Sequence, residues 1–127
     1  MVTLNRVVIL NMAFVFAHQA DAVYWHEWKM FGLPGGIQLF NALNVIIFVL
    51  VMALLVPVVQ RQMSGFRCSL AIALICASVL PIHAGFALAG FEEFNLPFSV
   101  FLVAATFVTS IVQLALTLRA RGEFGGA

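Results

Sequence analysis

Charge is what this sequence has least of. Six basic and five acidic residues in 127 leave 9% charged against 64% hydrophobic, whereas a soluble domain carries about 25% charged residues. That deficit, with a mean hydropathy of +1.11, excludes an ordinary soluble globular domain, and a net charge of only +1 gives no footing for nucleic acid. Cysteine is nearly absent too. Cys68 and Cys76 are the two present, and eight residues along one helix separate them by about 12 Å, beyond disulfide reach. With no C-x-x-C pair the chain is not a thiol–disulfide oxidoreductase. Three histidines are too few for a membrane di-iron hydroxylase. His26-Glu27 starts like a metalloprotease box, but position 30 is Met, so the second histidine of H-E-x-x-H is missing. No serine-nucleophile motif accompanies the histidines, and Gly35-Gly36 opens no phosphate-binding loop.

What is there is apolar sequence in four long runs. A helix needs about 20 mainly apolar residues to cross the hydrocarbon core, and residues 3–25, 37–59, 68–90 and 97–118 each supply that length. The expected fold is all-α, a four-helix transmembrane bundle forming one integral membrane domain over 1–127. Gly32, Pro34, Gly35 and Gly36 turn the chain between the first two runs. Residues 60–67 form a polar connection, Pro97 suits the first turn of the last helix, and the Gly-rich tail from Arg119 is expected to fray. Pro81 is expected to bend the third run just below His83. The first run follows Arg6 and reaches Ala20-Asp21-Ala22, a pattern shared with cleaved secretory signal peptides. A retained helix is the expectation, because cleavage would discard His18 and Asp21 and detach the interfacial anchor made by Tyr24, Trp25 and Trp28.

Four spans place Arg6, Arg61, Arg67, Arg119 and Arg121 on one side, and Asp21, Glu27, Glu92 and Glu93 with Lys29 on the other. The positive-inside rule then sets both termini in the cytoplasm of a bacterial inner membrane.

The stretch His18 to Trp28 concentrates the unusual residues. It holds two of the three histidines, two of the five acids, both tryptophans and the single tyrosine. His18 and Asp21 stand i, i+3 on one helical face, and the topology brings His83, Glu92 and Glu93 to the same membrane surface. His83 continues a heptad-spaced line through Ser69, Cys76 and Gly90, while Ser99, Thr106 and Gln113 form another; such stripes face neighbouring helices rather than lipid. Gln38, Asn41 and Asn44 add polar groups to the second span. Imidazole with carboxylate suits Zn²⁺ or a harder first-row ion, so the expected ligands are His18, Asp21 and His83, with His26 and Glu92 as alternates. Glu27 or Glu93 is the candidate general base for a metal-bound water. An interfacial belt of hydrated residues explains the same composition without any site.

The string His18-x-x-Asp21-x-x-Tyr24-Trp25-His26-Glu27-Trp28, followed by Pro34-Gly35-Gly36-Ile37-Gln38 and Asn44, resembles a family of small bacterial multi-pass membrane proteins known as a domain of unknown function. The resemblance covers about the first third of the chain and implies a membrane protein without an assigned reaction. Two functional expectations follow. The first is an accessory subunit of a larger membrane complex or a homo-oligomer, using Ala73, Ala77, Gly85 and Ala89 for close helix packing. The second is a metal-binding membrane protein or metal-dependent enzyme with its site at the outer face.

Overall fold

In the hydrocarbon region every backbone N–H and C=O must find its partner within the segment, so apolar runs of this length settle as helices. The computed structural model describes residues 1–125 and contains six α-helices: α1 (Val2–Tyr24), α2 (Glu27–Met30), α3 (Gly36–Val59), α4 (Gly65–Ala77), α5 (Val79–Leu88) and α6 (Pro97–Arg119). Four helical segments, with α4 and α5 read as one, are long and apolar enough to cross a membrane.

The bundle is organised around α6. It packs along α1 on one side and α4 on the other, while α3 closes against α4 and, less extensively, α1. Leu4, Val8, Met12, Val51, Val58, Ile72, Cys76 and Ala120 form the apolar core at one end. A second cluster of Ala22, Trp28, Met30, Phe40 and Phe94 closes the other. Between them α6 buries Ser99, Thr106 and Gln113, the heptad stripe of the sequence.

Three local features shape the site. Pro81 has no N–H to donate to the carbonyl of Ala77, and the helix is interrupted at Ser78, whose hydroxyl instead donates to the Ile75 carbonyl at 2.7 Å. Beyond the break α5 packs chiefly on α6, whereas α3 packs on α4, α1 and α2. A cavity lined by residues of both α3 and α5 opens there. After α1, His26 adopts φ 55°, a left-handed conformation uncommon for a residue with a side chain. It turns the chain back so that α2 re-enters the bundle and Glu27 is buried. Phe94, at φ 62°, does the same before α6 and is also buried. Arg61, at the opposite end, takes the same conformation at φ 56°, so this is the way the chain reverses at both ends of the bundle.

The opposite end is tied more closely than a frayed tail would be. The Met1 amine meets Glu123 at 3.3 Å, Gly125 N donates to the Arg61 carbonyl at 2.9 Å, and Phe124 packs on the core. Residues 126–127 of the expected frayed tail lie outside the described residues. Helix α4 begins at Gly65, inside the stretch read from sequence as connection. A Cβ at that position would collide with the Pro57 carbonyl, so glycine is what lets α3 and α4 close there.

Candidate functional site

Three ionisable side chains from three helices converge beneath Phe94. His18 comes from α1 and is 1% exposed; Glu27 comes from α2 and is 4% exposed. His83 comes from α5, a half-exposed stretch of helix, yet its side chain retains only 9% exposure. Its Nε2 lies 3.0 Å from His18 Nε2 and 3.3 Å from Glu27 Oε1. All three ligand-capable atoms fall within 4.8 Å of one another. The Phe94 ring covers both imidazoles, with centroids 4.2 Å from His83 and 5.2 Å from His18.

This contact pattern is not a closed hydrogen-bond network. An imidazole nitrogen offers one in-plane position, either an N–H or a lone pair, so His83 Nε2 cannot serve His18 and Glu27 fully at once. A cation placed among the three atoms would give each of them a partner, and these are the residues that could hold one. Tetrahedral ligands at the Zn–N length of about 2.0–2.1 Å stand about 3.3–3.4 Å apart, close to the two shorter separations. The third, His18 to Glu27, is the wider edge. Glu27 rides on the four-residue α2 between two turns, the element best placed to close it.

The remaining expected site residues fall elsewhere. Asp21, read from sequence beside His18, is outside the converging set and Glu27 takes that place, because the left-handed turn at His26 returns Glu27 into the bundle. The Asp21 Oδ2 and the His18 Nδ1 are both enclosed without a hydrogen-bond partner. His26, Glu92 and Glu93 line an open cleft with Tyr24, Trp25 and Asn95; His26 and Glu92 are exposed and Glu93 half-buried. Of the polar residues in α3, Gln38 and Asn41 are exposed and Asn44 is buried, accepting from Gln19 Nε2 at 2.7 Å. Of the small residues read as packing faces, Ala73 is consumed inside the bundle, while Gly85 and Ala89 remain exposed.

Sequence reasoning missed Phe94 and Gln19. Phe94 carried one usable signal, an aromatic between Glu93 and Asn95 in an otherwise polar turn. Gln19, next to His18 on a helix, carried none.

Against the other side of the cluster lies a cavity of about 300 Å³ between α1, α3 and the α4–α5 break, walled by residues including Phe16, Phe40, Ile47, Phe48, Ile75, Val79 and Ile82. His18, Glu27, His83, Gln19 and Asn44 also line it. The wall is therefore apolar almost throughout.

Together these features define a helical bundle suited to a membrane, with a buried imidazole–carboxylate cluster at the head of an apolar cavity. A model of a family of unknown function (DUF6713) matches residues 4–120, and the chain belongs to that family. The match extends well beyond the first third of the chain that carried the resemblance. No curated protein and no solved structure matches it.

Proposed function

We propose that the chain is a membrane-embedded binding protein for a divalent transition-metal ion, held by His18, His83 and Glu27. The convergence of these three atoms carries the reading, since two neutral imidazoles and a carboxylate are a donor set that zinc accepts. An ionisable cluster within an apolar bundle is costly unless it is paired or used. Asp21 takes a different role from the one expected of it. A ligating histidine ordinarily donates its other ring N–H to a carboxylate or carbonyl; His18 Nδ1 and Asp21 Oδ2, one turn apart on α1, are both buried and unbonded, to each other as well as to the rest of the bundle, and a change of the Asp21 rotamer would join them. Asp21 is then a positioning residue for His18.

The orientation proposed is both termini in the cytoplasm of a bacterial inner membrane. It rests on five arginines at the end where Met1, Arg61 and Glu123 meet. Retention of α1 follows from the same reading, because α1 supplies Asn11 and His18 to the interior. A mature N-terminus at Val23 on mass spectrometry would contradict it.

Metal analysis on protein purified in mild detergent without chelator tests the central reading. Near-stoichiometric metal in the wild type and its loss in both His18→Ala and His83→Ala is the expected result. Equal metal content in all three, or a metal-free wild type, would reject the site. The accessory-subunit reading draws on the exposed Gly85, beside which a Cβ would meet nothing within 4 Å. Crosslinking in native membranes separates it: a defined partner or second copy supports it, and an uncrosslinked monomer does not.

A further inference from the structure

The cavity beside the cluster has the shape of a ligand site, and its chemistry is asymmetric. Its volume of about 300 Å³ is at the lower end of ligand pockets, which run to about 1,000 Å³. That is room for one hydrocarbon chain rather than two with a glycerol head group. The side walls are apolar, and the wall residues Ile47, Ile75 and Ile82 are accessible rather than sealed in, so the cavity opens at the surface of the bundle beside α3 and α5. At its closed end stand the two imidazoles and Glu27. Beside them the Gln19–Asn44 bond is the sole hydrogen bond of either side-chain amide among the described residues, which leaves an amide oxygen on Gln19 and an amide N–H₂ on Asn44 for a ligand.

The geometry points to a single-chain carboxylic acid, a free fatty acid entering from the bilayer between α3 and α5, as the molecule this cavity takes. This rests on the reading of the cluster as a metal site. Two neutral imidazoles and one carboxylate leave a divalent ion with a net charge of +1 in apolar surroundings, where an uncompensated charge is costly. Zinc sites with three protein ligands keep a fourth position open. A ligand carboxylate there neutralises the ion, the Asn44 amide can donate to its second oxygen, and the chain lies along the apolar wall. An alcohol of the same length brings no charge. A phospholipid brings a second chain and an ester in place of the carboxylate.

The test uses full-length protein in lipid nanodiscs and a long-chain fatty acid carrying a diazirine on its chain, with labelled residues mapped by mass spectrometry. A diazirine phospholipid forms the second arm, and metal content is measured on every sample. The expected labels fall on the α3–α5 gap, at Ile47, Phe48, Val79 or Ile82. They fall by about tenfold or more in Ile47→Trp and Ile75→Trp, which narrow the cavity at wall positions well away in sequence from His18, Glu27 and His83; metal content measured on both variants checks that the cluster is spared. Unlabelled fatty acid competes at least about tenfold better than the matching alcohol, a difference of about 1.4 kcal/mol. Labels spread over the outer surface, labelling indifferent to the tryptophans, equal competition by the alcohol, or equal labelling by the phospholipid would each overturn the proposal. If any of these occurs in metal-loaded wild type, the metal reading survives and this one falls. A metal-free wild type rejects the metal reading and takes this proposal with it, because the carboxylate then has no cation to meet beside Glu27.

Discussion

The polar residues around Asn11 and those around His18 lie about two helical turns apart on α1 and behave oppositely. Asn11 donates to Ser110 Oγ at 3.0 Å and to Gln113 Oε1 at 2.8 Å, and it accepts from Thr109 at 2.9 Å. Gln113 donates on to the Ser69 carbonyl at 2.9 Å, and the Ser69 and Thr117 hydroxyls pair at 2.7 Å. None of these groups is ionisable, and none of these buried side chains is left without a partner among the described residues. Around His18 the groups are ionisable, one imidazole nitrogen faces two partners, and His18 Nδ1 has none. Burial of polar atoms is common to both regions. Closure is not: a closed neutral network holds helices together, whereas an open ionisable cluster is the candidate functional site of the two.

The comparison sharpens into variants that should affect one region and spare the other. Glu27→Gln, which keeps the shape and removes the charge, is expected to weaken metal binding by more than the ~10–100-fold typical of losing an outer partner, with little change in folding; competition against a chromophoric chelator measures it. Asp21→Asn should lose about 10–100-fold in the same titration, because it touches the ion only through His18. An unchanged affinity would remove Asp21 from the account. Asn11→Ala should leave metal content intact and destabilise the bundle by about 1–2 kcal/mol in a denaturing-detergent titration, since interhelical hydrogen bonds in membranes are worth that at most. If Asn11→Ala also emptied the metal site, the two regions would not be separable. Smallest of all, His18→Leu should leave the metal-free bundle as stable as the wild type or slightly more so, because functional clusters are held against stability.

The helices and the network were legible in the sequence because both obey a period. Ser99, Thr106 and Gln113 repeat every seventh residue, as do Ser69, Cys76 and His83, and these stripes turn inward where a helix meets a neighbour. The break near His83 followed from Pro81 and the N–H it lacks. The cluster was half legible: His18 and His83 came from topology, but their third partner depended on a turn. Spacing on a helix favoured Asp21, whereas the chain's reversal at His26 brought in Glu27. Histidine is somewhat enriched in the left-handed region, too weakly to locate a reversal at His26, and the left-handed Phe94 that roofs the site has no such preference at all. Tail packing was missed for a related reason: Phe124 is a single aromatic among glycines and charges, and its docking depends on tertiary contact with the core.

X-ray absorption at the metal edge of the purified wild-type protein tests the central claim most directly, because it reads the donor atoms themselves. The account predicts two imidazole nitrogens at about 2.0–2.1 Å, with the remaining ligands oxygen. A sulfur shell at about 2.3 Å, drawn from Cys68 or Cys76, or an all-oxygen shell without imidazole scattering, would contradict it.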